Sequence, residues 1–139
     1  MATLQHRVGE MYWYAWFDDE TRKVELDQYG LRSIRKGTAY FTAKLDGTTW
    51  GKRSTKTGDF GWLDPVPAWA RCAERVGGDS IRRYGRSRSA ALKAAIAAER
   101  KNRSHYKGEA EIEQEIDIAL SALTSRLRRA QTIDARQSK

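Results

Sequence analysis

The chain has 139 residues, of which 40% are hydrophobic and five are tryptophan, and its formal net charge is +8. This length and apolar content suffice for a core of the chain's own, which excludes global disorder. Cys72 is the only cysteine, which excludes an intramolecular disulfide and favours a reducing, cytoplasmic setting. No signal-peptide core precedes the longest apolar run, 11–17, which is too short to span a bilayer, so we expect no membrane partner.

The positive charge is concentrated in one segment. Residues 71–107 carry eleven Lys or Arg against three Asp or Glu, while residues 1–70 carry ten against nine and residues 108–139 five against six. The middle segment therefore holds the whole excess as a localised positive field. We divide the chain into a β-rich part, 1–63, a basic helical part, 64–107, and an amphipathic C-terminal helix, 108–139, and expect one compact domain overall.

The N-terminal part predicts about four strands in a meander. The apolar run 11–17 is typical of a central strand covered on both faces. Residues 22–26 alternate between polar and apolar, as a half-buried strand does, and Asp27 to Gly30 are expected to end that strand.

A β-hairpin is predicted next, over residues 38–50. Its first strand places Ala39 and Phe41 on one face and Tyr40 on the other. Asp46-Gly47 supplies the positive φ angles of a two-residue turn, after which the return strand begins.

Helical patterns dominate from residue 64 onward. Asp64 and Pro65 are typical of a helix start, and apolar residues follow at helical spacing before Gly77-Gly78, namely Val66, Trp69, Cys72, Ala73 and Val76. Ser87 or Ser89 is expected to cap an Ala-rich helix that runs to about Asn102. Strands followed by helices predict the α+β class, with a small antiparallel sheet and then two or three α-helices.

The last predicted helix, from about 109 to 131, is long and amphipathic. Acidic residues crowd its start and arginines its end, which complements the helix dipole. One apolar stripe follows the helical period: Ile112, Ile116, Leu120, Leu123 and Leu127. The stripe either completes the chain's own core or forms a face for a partner or an oligomer, and its irregular spacing favours the core.

The Arg-rich segment between residues 82 and 107 is the strongest candidate site. Guanidinium groups fork onto phosphate oxygens, hydroxyls and free helix N–H groups bind anions, and a tyrosine can stack on a base. Basic residues also recur every seven positions from residue 86, which on a helix forms a near-continuous ridge. The predicted nucleic-acid-binding residues are Arg82, Arg83, Tyr84, Arg86, Arg88, Lys93, Arg100 and Lys107. The alternative is a solvated basic face beside a core helix.

A secondary contact is predicted on the hairpin. Tyr40 shares the outer face with Thr42 and Lys44, where stacking on a base is feasible, and three nearby cations extend a phosphate track: Lys52, Arg53 and Lys56. The strand and helix tryptophans Trp13, Trp16 and Trp69 are interpreted as core residues.

Catalytic signatures are absent from the sequence. His6 and His105 lie far apart without a ligand-spaced Cys or His, and there is no phosphate-binding glycine loop or nucleophile elbow. We therefore expect no enzyme, metal or cofactor, although a metal-dependent nuclease built from scattered carboxylates stays open.

These features predict a non-enzymatic protein that binds DNA or RNA through phosphates, with little sequence readout. The alternative belongs to another class: a docking, inhibitory or assembly component, such as a viral one, whose basic segment meets an acidic protein surface.

Overall fold

The computed structural model describes residues 6–43, 52–53, 61–62 and 71–137. These residues form a sheet followed by two helices, which confirms the α+β class. The strands are β1 (Met11–Asp18), β2 (Lys23–Arg35), β3 (Thr38–Ala43), β4 (Lys52–Arg53), β5 (Gly61–Trp62), β6 (Arg71–Arg75) and β7 (Tyr84–Gly85). The helices are α1 (Arg88–His105) and α2 (Ala110–Gln137), and a short 3₁₀ helix spans Ser80–Arg83.

The main sheet has five strands in the order β6-β3-β2-β1-β7, while β4 pairs with β5 in a separate two-stranded sheet. Strand β3 runs antiparallel to both of its neighbours, β2 and β6. The β2–β3 turn is Lys36-Gly37, and both residues have positive φ, 49° and 76°. Such angles match the right-handed twist of two hairpin strands, so this two-residue turn sets the β2–β3 register.

Strand β2 corrects one expectation. The sequence predicts that residues 27–30 end the strand, but β2 runs through them to Arg35 and is 13 residues long. Gly30 is buried opposite Thr42, and the register shifts between Leu31 and Ser33. A glycine inside a strand often marks a close approach or an irregularity rather than an end, because it lacks a side chain to pack.

Strand β6 corrects a second expectation. The helix predicted from Asp64 is a strand at Arg71–Arg75, where Cys72 pairs with Phe41 and Glu74 with Ala39. The segment has a two-residue period, since Cys72 and Glu74 are half-buried and the residues that follow each of them are exposed. The edge of β3 that does not pair with β2 needs partners for its backbone N–H and C=O groups. Pairing of β6 with this edge outweighs the preference for a helix that the apolar spacing of the segment suggests. Residues 63–70 and the predicted Asp46-Gly47 turn lie outside the described residues.

The helices agree with the sequence patterns. The Ser87 hydroxyl accepts a hydrogen bond from the Ala90 amide, so Ser87 is the N-cap of α1. Helix α2 has 28 residues and extends beyond the predicted end at 131. Among the described residues, no helix has the length and apolar character needed to cross a membrane.

The chain divides into two compact units, and both β1 and β2 contribute residues to each. Unit 1 contains Met1–Tyr12 and Asp27–Tyr84, and unit 2 contains Trp13–Leu26 and Gly85–Lys139. These boundaries differ from the three-part division by composition, which stays a prediction.

Each unit has its own kind of core. In unit 1, aromatic rings dominate: Tyr84 stacks on Phe41 at 4.0 Å between centroids, and Tyr12 meets Phe41 edge-on at 6.0 Å. The core of unit 2 is aliphatic. It consists of Ala15, Ala91, Leu92, Ala95, Ile96, Leu123 and Ala130, with Trp13, Val24, Leu26, Leu120 and Leu127 packed against it. Helices α1 and α2 therefore pack on the β1 and β2 residues of their own unit.

Candidate functional site

Helices α1 and α2 form an antiparallel hairpin within unit 2. At the turn end, Arg103 donates two hydrogen bonds to Asp117, at 2.6 and 3.1 Å. At the opposite end, the Ser89 hydroxyl donates to the Asp134 carboxylate. The connection includes Gly108 at φ +94°, a left-handed conformation that glycine adopts without strain. The start of α1 therefore lies beside the end of α2.

The apolar stripe of α2 packs mostly within the chain. Leu123 is fully buried, and Leu120 and Leu127 pack against the core of unit 2. Ile116 is buried as well, whereas Ile112 is 38% exposed. This is the intramolecular packing that the spacing favoured, and it turns the opposite, polar face of α2 towards solvent.

The Arg-rich segment contributes to three successive elements. Arg82 and Arg83 end the 3₁₀ helix, where Arg82 is exposed and Arg83 half-buried. Tyr84 is in β7, and Arg88 begins α1. The Arg88 guanidinium lies 4.5 Å from the Trp13 ring centroid, a cation–π contact that holds this half-buried side chain at the edge of the core.

Tyr84 corrects a predicted role. Its side chain is only 5% exposed, its ring stacks on Phe41, and Tyr29 meets it edge-on at 5.3 Å. His6 Nε2 also donates to the Tyr84 carbonyl oxygen at 2.7 Å. Because its ring faces are occupied by the core of unit 1, Tyr84 is not accessible for stacking on a base.

The predicted ridge consists of four basic residues spaced seven positions apart. All four are exposed: Arg86, Lys93, Arg100 and Lys107. Only Lys93 and Arg100 belong to α1, since the helix begins after Arg86 and ends before Lys107. The ridge therefore extends beyond both ends of the helix, and regular helical spacing applies to its two central residues alone.

The two ends of the hairpin differ sharply in charge. Residues 97–122, around the turn, carry four Lys or Arg against six Asp or Glu. Residues 86–96 and 123–137, at the other end, carry seven Lys or Arg against one Asp. Folding thus places the acidic start of α2 beside the basic end of α1, and the basic end of α2 beside the basic start of α1.

Five exposed residues form what we call the basic end: Arg86, Lys93, Arg128, Arg129 and Arg136. Ser89 meets Asp134 across the hairpin. Lys93 follows Ser89 by about 6 Å of helix rise, and Arg128 precedes Asp134 by about 9 Å, so they lie at similar levels. Both point away from the buried faces of their helices, so their charges reinforce one another at the surface.

A shallow, open depression lies along one face of α2 at the basic end. Its lining includes Arg128 and Arg136 with Gln131, Thr132 and Ala135. Guanidinium, amide and hydroxyl groups all donate hydrogen bonds to phosphate oxygens. The sequence pattern alone explains the α2 arginines by the helix dipole. The signal that could have found them is the short 106–109 connection, since it predicts antiparallel neighbours.

The predicted secondary contact is described only in part. Tyr40 is half-buried, on the face opposite the buried Ala39 and Phe41, as the alternation predicted. Thr42, expected beside it on the outer face, is 2% exposed. This face of β3 is therefore covered at Thr42 and partly open at Tyr40. Lys52 and Arg53 form β4, whereas Lys56 lies outside the described residues.

The described side chains outside the hairpin do not form a reactive or metal-binding site. Cys72 is half-buried, and burial raises the pKa of its thiol, which disfavours the nucleophilic thiolate. Across the described ranges, no group of three or more His, Cys, Asp or Glu side chains is placed to hold a metal ion. Trp13 and Trp16 are half-buried, and Trp13 packs against the core of unit 2; Trp69 is outside the described part.

Comparison of the chain with protein-family models, curated proteins and solved structures found no match. Functional inference therefore depends on the geometry and charge of the chain's own residues.

Proposed function

We propose that the protein binds nucleic acid without catalysis, through phosphate contacts made by the basic end of the α1–α2 hairpin. The observation that carries this proposal is the convergence of exposed basic residues from two helices that are distant in sequence. Each cation that neutralises a phosphate releases condensed counterions, and these contributions to affinity add. Nucleic-acid binding therefore needs several cations at one surface.

The chemistry of the surface suits the phosphodiester groups of a nucleic-acid backbone. Arg128 and Arg136 lie about two turns apart on one face of α2, and an arginine fork binds two phosphate oxygens at once. Lys93 adds a point charge from the neighbouring helix. Because α1 and α2 are packed helices without a recognised groove-reading motif, we expect affinity for the backbone with little sequence readout, on DNA or RNA. Binding would take place inside the cell, consistent with a lone, half-buried Cys72.

The proposal is tested by salt-dependent binding of two double variants to duplex DNA. Lys93→Glu with Arg128→Glu removes charge at the basic end. Arg100→Glu with Lys107→Glu removes the same net charge nearer the acidic turn end. We expect the first pair to lower the log–log salt slope by about 2, one unit for each lost phosphate contact. The second pair is expected to lower that slope by less than about 1, because neighbouring acids already weaken the field there.

All four positions are exposed, so we expect both variants to fold, and circular dichroism of each variant checks this. Equal losses from both pairs would show that net charge matters and the basic end does not. Equal, weak retention of DNA and heparin by the unmodified protein would contradict a nucleic-acid function altogether.

A second candidate is docking to an acidic protein surface. Ile133 is 40% exposed on α2, one helical turn from Arg129 and nearly one from Arg136. An exposed apolar side chain among cations suits a protein interface better than a phosphate backbone. Ile133→Ser would weaken such docking and leave nucleic-acid affinity unchanged, so this substitution separates the two candidates.

A further inference from the structure

A second surface lies on the sheet of unit 1, around Tyr40. This residue is in β3, with β2 and β6 paired on either side. Its chain neighbours Ala39 and Phe41 are fully buried on one face of the sheet, so Tyr40 belongs to the other face, where it is half-buried. A large aromatic ring at an interior position of a sheet face is thus partly accessible.

The residues beside Tyr40 are small. Ser33 of β2 and Ala73 of β6 are its register partners, and Ala73 is exposed. Cross-strand partners are the closest neighbours of a side chain on a sheet. With a serine on one side and an alanine on the other, neither partner has the bulk to cover the Tyr40 ring.

Two arginines lie on either side of Thr38, which precedes Tyr40 by two residues in β3 and so shares its face of the sheet. Thr38 pairs with Arg35 on one side and with Arg75 on the other, and both arginines are exposed. The Arg35 guanidinium lies over the Tyr40 ring, 5.3 Å from its centroid, as a cation–π contact. Two strand spacings separate Arg35 from Arg75 in the backbone, roughly 10 Å, so their charges border the tyrosine from two sides of one surface.

We propose that Tyr40, bordered by Arg35 and Arg75, is a stacking site for an unpaired base of single-stranded nucleic acid. The half-buried ring offers its exposed part to a base, which would stack there beside or in place of the Arg35 guanidinium, and the small neighbours Ser33 and Ala73 leave room for it. The two guanidinium groups would meet the flanking phosphates. Bases in a duplex are already stacked on one another, so this surface selects single strands. The proposal shares its ligand class with the proposed function but depends on residues of unit 1 alone.

The test compares Tyr40→Leu with Tyr40→Phe on two probes, a thymidine homopolymer and a duplex of equal length, at one salt concentration. Leucine keeps an apolar side chain and removes the ring, whereas phenylalanine keeps the stacking surface. We expect Tyr40→Leu to weaken single-strand binding about 5- to 150-fold, as the loss of one stacked base does. Duplex binding by Tyr40→Leu, and single-strand binding by Tyr40→Phe, should change less than about threefold.

Photocrosslinking provides a second measurement on the unmodified protein. A bromodeoxyuridine-substituted strand should crosslink to the peptide that contains Tyr40. No crosslink there, or equal losses of single-strand and duplex binding in Tyr40→Leu, would overturn the stacking site. Should Tyr40→Leu fail to fold, the crosslink alone decides.

The same assay separates this proposal from the basic end. If Lys93→Glu with Arg128→Glu abolishes binding of both probes while Tyr40→Leu changes neither, only the stacking site is wrong. If the hairpin variant binds both probes normally and Tyr40→Leu loses the single strand, the stacking site stands and the basic end is wrong.

Discussion

The two ends of the α1–α2 hairpin both contain several cations, four at the turn end and seven at the opposite end, but they differ far more in their acids. At the turn end, Arg103 pairs with Asp117, and five further acids lie between residues 97 and 122. At the opposite end, residues 86–96 and 123–137 contain seven cations, five of them the exposed residues of the basic end, and one acid, Asp134. A run of basic residues in a sequence therefore does not define a positive surface. The neighbouring segment in space decides which part of the run keeps its field.

The largest expected effect comes from breaking the packing that both ends share. Leu123 is fully buried in the core of unit 2, so Leu123→Ala should lower the free energy of unfolding by about 2–5 kcal/mol. Denaturant titration measures this loss. Ile112→Ala is the matched control on the same stripe, and its effect should stay within about 0.5 kcal/mol because Ile112 is 38% exposed. If Ile112→Ala dissociated an oligomer while leaving the free energy of unfolding unchanged, the stripe would be a partner face.

A smaller effect is expected at Gly85, where the chain enters α1 and so places the basic end. A Cβ added at Gly85 would lie 2.6 Å from the Ala91 amide nitrogen and 2.9 Å from the Ala90 carbonyl carbon. Both are backbone atoms, so the start of α1 must shift. Gly85→Ala should therefore cost about 1–3 kcal/mol of stability.

Gly77→Ala is the control for that substitution, because a Cβ at Gly77 meets no atom within 4 Å. Thermal unfolding of the two variants gives the comparison. Equal stabilities would mean that the approach of β7 to α1 is looser than the structure shows.

The smallest expected effect is on the pH dependence of folding stability, through the ion pair at the turn end of the hairpin. The hydrogen bond from Arg103 holds the pKa of Asp117 below its ordinary value. A lowered pKa in the folded state means that the pair stabilises fully above the ordinary aspartate pKa, near 4, and that this contribution is lost as pH falls through the folded-state pKa. The two side chains are 42% and 52% exposed, so solvent screening keeps the contribution small.

A double-mutant cycle isolates this contribution. Between about pH 7 and about pH 3, the unmodified protein should lose more stability than Asp117→Asn does. In an Arg103→Gln background, the Asp117→Asn substitution should make almost no difference to that loss. The same pH-dependent difference in both backgrounds would assign the effect to another partner of Asp117.

Local sequence patterns located α1 and α2, although they also predicted a helix from Asp64 that is a strand at Arg71–Arg75. Ser87 caps α1 where the Ser-x-Ser pattern placed a start, and α2 follows the apolar period from Ile112 to Leu127. Helices form from contacts within a few residues, so capping and periodicity suffice to locate them. The alternation at Ala39 and Phe41 predicted the buried face of β3 for the same reason.

Local patterns did not predict pairing between distant segments. Cys72 fitted a helix by spacing and lies in β6 because β3 had a free edge. Tyr84 sat among arginines in the sequence, which suggested a base-stacking role, but Phe41 of a distant strand covers its ring. In both cases the deciding neighbour is far along the chain, where no periodicity reports it.

By itself, the sequence determined the α+β class, the two helices and the excess of positive charge in residues 71–107, because each depends on composition or local spacing. Only the tertiary structure decided which cations act together. The antiparallel return of α2 offsets charge at Arg103 with Asp117 and adds Arg128 and Arg136 to Lys93 at the other end. Electrostatic fields add in space and not along the chain, so the basic surface became visible only after the hairpin was folded.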